Sequence, residues 1–358
     1  MAVESKNSEA AELQHQIIGV AEGKAVQEKE AIPFPNPHPD AQWFPEAELG
    51  LFLHWGISAV DGTVDLSWGM MADTPWNPGD KKITPAEYWK LAENFNPTAY
   101  EPELWLEAAR RAGFRYAVLT TKHHDGFALW PSDYGNFSTK NYLGGRDLVA
   151  PFVEACRNQG IKAGLYYSPP DWRWNQKFMS FGWQTDPNRD NCFGTDSQQT
   201  ALDIYHRPTQ LPVLSDEQKS EKDAEFAIYV KGQVEELLQR YSPDLIWFDG
   251  APAAISIARM RELQPSVVVN PRMHGYGDYQ TFECRFPETK PDGWWEMCSI
   301  WGEQWGYVKS EKYHSVEWMM DEKARVNAWH GNYLINVSPR PNGTLPPVVY
   351  ERLQQLSN

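Results

Sequence analysis

Short apolar runs alternate with amphipathic stretches along most of this chain, and that alternation predicts its architecture. Gly50 to Ser58, Phe114 to Thr121, Ile161 to Ser168 and Leu245 to Phe248 each read as a strand apolar on both faces, the pattern of a parallel sheet covered on both sides. Helical patterns separate them. Thr84-Pro85-Ala86-Glu87 opens one with a cap, a first-turn proline and a capping-box acid. Glu103 to Ala112 stops at Gly113, and Asp147 to Gln159 stops at Gly160. Asp216 to Tyr241 is long and helical, and leads into the Leu245 strand.

Later units are less regular. A helix around Ile255 to Leu263 precedes a strand at Ser266 to Asn270, and two weaker strands at Thr281 to Arg285 and Trp295 to Ile300 have no convincing helix between them. Helix Val316 to His330, strand Asn332 to Val337 and helix Val348 to Leu356 close the chain. About eight strands, the early ones each followed by a helix, predict an α/β fold of the (β/α)8 TIM-like barrel type, irregular in its fifth-to-seventh units. Residues 1–42 read as an N-terminal arm, polar except for the island Gln16-Ile17-Ile18-Gly19-Val20 and ending in the proline-rich Ile32 to Pro39; residues 43–358 read as the barrel. The Pro169 to Ser215 stretch is a long loop rich in aromatic and polar residues, a length that usually serves function.

In such a barrel, chemistry belongs where the strands end. Those ends carry His54-Trp55-Gly56, Lys122-His123-His124-Asp125-Gly126-Phe127, Tyr166-Tyr167-Ser168, Trp247-Phe248-Asp249, Asn270-Pro271-Arg272 and Glu283. Any one of them has a bland explanation, a satisfied histidine or an Asp249 that caps a turn; six in succession do not. His54, His123, His124 and Tyr166 could supply donors and acceptors to sugar hydroxyls, and Trp68 and Trp247 could offer apolar faces. Asp249 with a second carboxylate would form the pair that glycoside hydrolysis requires, and the cation of Arg272 would keep Asp249 ionised. Metal binding by His123, His124 and Asp125 is the competitor, but neighbours on a strand point to opposite faces and no HExxH-like spacing occurs. No metal or other cofactor is expected.

A net charge of −15 lacks the basic stripe of a nucleic-acid binder, and 17 Trp with 16 Tyr suit either a sugar site or a large core. Cys156, Cys192, Cys284 and Cys298 show no metal-like spacing. No segment reaches membrane-spanning length. The first thirty residues carry no signal pattern, which reads as cytoplasmic as written, and as periplasmic or extracellular if a leader was trimmed.

Taken in order, LFLHWG (51–56), EYWKLAENFNP (87–97), TTKHHDGFALWPS (120–132), GLYYS (164–168), PDLIWFDG (243–250) and NYLINVSPRPNGTLPP (332–347) resemble the α-L-fucosidases of glycoside hydrolase family 29 from about Trp43 onward. The resemblance implies a retaining exo-hydrolase that acts on terminal α-L-fucose of an oligosaccharide or glycoconjugate, without a metal. It places Asp249 as nucleophile and His54, Trp68, His123, His124, Tyr166, Trp247 and Arg272 in the sugar pocket. For the acid/base it leaves Glu283, Glu288 and Glu296. Glu283 best fits the family's Thr-x-Glu pattern after the arginine, Glu288 lies between prolines on a loop, and Glu296, among aromatic neighbours, reads as a buried pocket-supporting carboxylate. Many relatives continue into a C-terminal β-sandwich. Here lid contacts would come from the 169–215 loop or from a second copy in a homo-oligomer. The rival readings are a glycosidase for a related sugar such as an α-L-galactoside, and a silent carbohydrate-binding protein.

Overall fold

A computed structural model describes residues 14–15, 18–21, 28–70, 83–175, 200–202, 208–210 and 215–357. Eight parallel strands form one curled sheet: β1 (Leu49–Leu53), β2 (Tyr116–Lys122), β3 (Lys162–Tyr167), β4 (Leu245–Phe248), β5 (Val268–Val269), β6 (Gln280–Glu283), β7 (Trp295–Ile300) and β8 (Asn332–Val337). Their order across the sheet is β5-β4-β3-β2-β1-β8-β7-β6, so the first and last strands of the chain pair side by side. That is the (β/α)8-type arrangement expected from the alternation of runs. Strand β1 is buried at every position, as are β2, β4 and β8, because helices cover one face and barrel side chains fill the other.

Among the described residues, six helices of seven or more residues follow strands: α1 (Pro102–Arg111), α2 (Ala150–Gln159), α3 (Asp216–Tyr241), α4 (Ile257–Leu263), α5 (Val316–Asn327) and α6 (Pro347–Ser357). Their boundaries obey the capping chemistry read from the chain. Gly160 closes α2 at φ +64°, and the Ser215 hydroxyl accepts from Gln218 N at the start of α3. The shorter helix Pro85–Lys90 opens with the Thr84–Glu87 capping box. Predicted strand Gly50 to Ser58 ends sooner, at Leu53, because Ser58 already begins a short helix.

The irregularity predicted for the fifth-to-seventh units is a seam. Strand β5 has only two residues, and among the described residues it does not pair with β6. Asp278 takes the place of a neighbouring strand there. Its backbone N–H donates to the Val269 carbonyl (2.8 Å), and its carboxylate accepts from Val269 N (2.8 Å), from Asn36 N (2.8 Å) and from Arg261 (2.7 Å). The chain at Asn36 is therefore fastened to the barrel at its seam; the Asn36 amide also donates to the carbonyls of Pro265 and Val267. Most of the loop from 169 to 215 lies outside the described residues. Its described parts are a short helix, Trp172–Asn175, and an antiparallel pair, Thr200–Leu202 with Pro208–Gln210.

Asp278 and Arg261 form a buried ion pair, and removing one partner of such a pair costs about 3–5 kcal/mol. Asp278→Ala should lower urea-unfolding stability by that amount, since it also strands the amides of Asn36 and Val269. A loss below about 1 kcal/mol would mean that this carboxylate does not hold the seam.

Candidate active site

The pocket sits at the C-terminal ends of the strands and is lined from every side of the barrel. His54 follows β1, His123 and His124 follow β2, Tyr166 lies on β3, Trp247 on β4 with Asp249 just beyond, Arg272 follows β5 and Glu283 ends β6. Trp68, from a 3-10 turn at Leu66–Met70, joins them. Nine of the eleven residues expected at the site thus share one cavity; Glu288 and Glu296 are the exceptions.

Local sequence explains how two adjacent histidines both reach it. Strand β2 carries a register irregularity between Thr120 and Lys122 and then ends, so His123 and His124 lie on the following turn and are not bound by strand alternation. Their rings lie 4.0 Å apart. Asp125 secures that turn by accepting from Phe127 N and from the Tyr88 hydroxyl, both at 2.8 Å. Gly126 adopts φ +85°, and a Cβ there would fall 2.4 Å from the Asp171 carboxylate. Asp171 is needed in that place because it is the counter-ion of buried Lys122, at 3.3 Å.

Hydrogen bonding sets the protonation pattern of the imidazoles. Asn336 donates its amide to the Trp305 carbonyl (2.9 Å), which turns its oxygen toward His54 Nδ1 at 2.7 Å. His54 must therefore carry its proton on Nδ1 and present a bare Nε2. Ser168 spends its proton on the Pro170 carbonyl and so accepts from His124 Nδ1 at 2.6 Å, which leaves His124 Nε2 bare as well. Ser67 holds His123 Nδ1 at 3.0 Å. Burial pushes His54 down to about 4, against the opposing hydrogen bond to Asn336, and pushes His123 and His124 well below the ordinary imidazole value. These are neutral groups suited to hydroxyls.

The acidic half of the pocket is organised by one arginine. Arg272 Nη2 lies 2.6 Å from Asp249 Oδ1, and its Nη1 donates to Glu283 Oε2 at 2.7 Å. The Arg272 guanidinium also lies 4.8 Å above the Trp247 ring. The Tyr166 hydroxyl donates to Asp249 Oδ2 at 2.7 Å, while Oδ1, although ion-paired, receives no hydrogen bond of good geometry. One oxygen of Asp249 is thus tethered and the other keeps its lone pairs. Burial pushes the Glu283 carboxyl up, but Arg272 and His15 outweigh it and hold the group well below the usual carboxylate range.

Two candidates from the sequence fall outside the pocket lining. Glu288 is exposed on the loop after β6, because Phe286 packs against Trp295 and Trp329 and Pro287 is buried, which turns the next residue to solvent. Glu296 lies deeper in the barrel, a layer below Cys298 on the same face of β7, where it accepts from Tyr116 (2.7 Å), Trp247 (3.0 Å) and, weakly, Thr281 (3.4 Å). Burial raises its carboxyl to about 7. Its contact with the pocket is indirect, through the indole of Trp247.

Sequence reasoning missed Phe52, Leu66, Cys298 and Trp305, which supply the apolar part of the wall, and Ser67 and Asn336 behind the histidines; it named Ser168 at a strand end but not its bond to His124. It also missed Gln14, His15 and Ile18 of the arm, whose one signal was the apolar island at 16–20. Among the described residues, His123, His124 and Asp249 are the group whose potential metal-ligand atoms all fall within 4.8 Å of one another. A cation bound there would share Asp249 with Arg272, which opposes its charge.

A histidine depressed in the folded state destabilises it as pH falls. The three pocket histidines contribute fully above their unfolded value of about 6.5, and that contribution is lost as pH drops from there toward 4. Comparing urea-unfolding stability at pH 7 and pH 4.5, His54→Asn should lose less on acidification than the unsubstituted chain, by about 2–3 kcal/mol. Equal losses would show that His54 is not buried neutral.

Comparisons with known proteins agree with this geometry. A family model described as Alpha-L-fucosidase matches residues 22–358. The chain is 28% identical over 348 residues to the tissue alpha-L-fucosidase of Bos taurus, covering 89% of this chain and 66% of that protein, and 29% identical over 353 residues to that of Mus musculus, with coverages of 89% and 69%. It therefore spans about two thirds of the length of these curated relatives. The structure of a Thermotoga maritima alpha-fucosidase in complex with a mechanism-based inhibitor superposes with a TM-score of 0.66 at 28% identity, over 88% of this chain and 72% of that one. With a site of this composition at the strand ends and a family match across nearly all of its length, the chain belongs to the alpha-L-fucosidase family.

Proposed function

We propose that this chain hydrolyses terminal α-L-fucosides of oligosaccharides or glycoconjugates with retention of anomeric configuration. The observation that carries the reading is the Arg272 fork, which holds Asp249 and Glu283 as neighbours at the base of one pocket. Retaining glycosidases need their two carboxyl groups about 5–5.5 Å apart. Asp249 is the nucleophile: Arg272 favours its ionised form, Tyr166 fixes its orientation, and Oδ1 attacks the anomeric carbon to form a covalent glycosyl-enzyme. Glu283 then has the other role, protonating the leaving oxygen and afterwards taking a proton from the attacking water. Its pairing with Arg272 and His15 must loosen before it can carry a proton, so substrate entry is part of its activation. The bare nitrogens of His54 and His124 accept from sugar hydroxyls, and Trp68 and Trp247 bound the ring.

A related α-L-galactoside would need a polar partner for its extra hydroxyl. Phe52, Leu66, Cys298 and Trp305 instead offer an apolar wall, which suits the methyl group of fucose. A silent binding protein would lack the second carboxylate, whereas Glu283 lines the same cavity as Asp249.

With an aryl α-L-fucoside as substrate, Asp249→Ala should lower kcat by about 10³-fold or more. Glu283→Ala should lower it by about 10²–10⁴-fold for poor leaving groups and regain turnover with added azide. Glu288→Ala should stay within about twofold of the unsubstituted chain. Full activity of the Asp249 variant would overturn the nucleophile assignment. Azide rescue at residue 288 but not at residue 283 would transfer the acid/base role to Glu288.

A further inference from the structure

The segment from Gln14 to Ala21 lies ahead of the family match, which begins at residue 22, yet its residues Gln14, His15 and Ile18 line the pocket. Gln14, His15, Ile18 and Ala21 are all buried. Its backbone is docked at two points on the loops that carry the acidic groups: Ala251 N donates to the Ile18 carbonyl, and Ala21 N to the Arg272 carbonyl, both at 3.0 Å. Val20 N also donates to the His15 carbonyl at 2.9 Å, and Gly19 sits at φ +67°. On the barrel side, Gly250 makes room. At φ +101°, a Cβ there would lie 2.2 Å from the Ile18 carbonyl oxygen. At the far end His15 Nε2 is 2.8 Å from Glu283 Oε2, the same oxygen that Arg272 holds.

Two consequences follow for a ligand. The free cavity that remains is about 30 Å³, room for a water. A cavity that accepts a single six-membered ring is on the order of 150 Å³. Glu283 is also occupied twice on one oxygen, in the ionised form, whereas the first step of glycoside hydrolysis requires it protonated. The groups that seat the segment, Gly250, Ala251, Arg272 and Glu283, lie within the family match, whereas the seated residues lie ahead of it. We infer that the described residues 14–15 and 18–21 act as a tethered competitive occupant of the active-site pocket, and that a fucosyl ligand and these residues exclude one another. The inference rests on the fucoside reading of the pocket proposed above. It goes beyond that reading by assigning the leaving-group side of the pocket a second, intramolecular ligand.

The test uses the full chain and a fucose-configured iminocyclitol. Hydrogen exchange should show slow Val20 and Ala21 amides in the free protein and faster exchange when the iminocyclitol is bound, opposite to the usual protection by a ligand. In calorimetry, Gly19→Val, which forces a branched residue into positive φ and toward Ala251, should bind the iminocyclitol about tenfold or more tightly than the unsubstituted chain. Ile18→Asp, which makes burial of the segment costly by another route, should do the same. With an aryl fucoside, both should lower KM and leave kcat no smaller. Unchanged or increased protection, or equal affinity in all three proteins, would overturn the inference, and so would a fall in kcat in both variants, because the segment would then be positioning Glu283. If the iminocyclitol binds none of the three, the fucoside reading itself fails, a result distinct from equal binding to all.

Discussion

Arg272 is the constraint on which the rest of the site depends. A guanidinium is a rigid planar fork, so placing one nitrogen on Asp249 and another on Glu283 sets the two carboxylates against each other with little freedom. Two buried carboxylates without that cation would repel, and one would be forced to protonate. Trp247 supports the guanidinium from below through a face contact, and Glu296 supports Trp247 by accepting from its indole. A carboxylate that never reaches the cavity thereby governs the position of two that do. The arginine itself comes from the least regular part of the sheet, just past the two-residue strand β5. The seam that Asp278 closes is thus also what aims the charge at the centre of the site.

The barrel was legible because its signals are local. Strands buried on both faces leave unbroken apolar runs, and glycines and caps mark the helix ends, so α3 and β4 begin and end where the pattern of residues places them. The seam was visible only as a lack of helices between weak strands. What replaces the missing pairing is a contact between Asp278 and Asn36, separated by 242 residues, and no local pattern encodes it. The same division runs through the site. Groups that stand on strand ends, from His54 to Glu283, can be found by counting strands. Ser67 and Asn336 cannot, because a serine in a turn or an asparagine on a strand looks the same whether or not it sets the tautomer of a histidine elsewhere. Glu288 and Glu296 show the opposite error. Each lies close to Glu283 in the chain, but the packing of Phe286 and the burial of Pro287 turn the first outward, and the second sits one layer deeper than Cys298 on the inner face of β7.

The arm is where sequence pattern and structure differ most. A polar stretch with one apolar island reads as an N-terminal arm, yet its residues Gln14, His15 and Ile18 line the pocket. The pocket can therefore be described as a site with two claims on it. The neutral histidines and aromatic faces suit a sugar, while Gly250 and the carbonyl of Arg272 suit a peptide backbone. Binding energy from a sugar would be offset by the cost of unseating that backbone, so affinity would report the difference between the two.

The central claim, that Asp249 is the nucleophile of a double displacement, is tested most directly by trapping the intermediate. A 2-fluoro-fucosyl fluoride slows the second step more than the first, so the sugar should accumulate on the enzyme. The account predicts loss of activity together with a mass increase of one fluorofucosyl group per chain, located by peptide mapping at Asp249. A label at any other residue, or turnover of fucosides with inversion and no label, would contradict it.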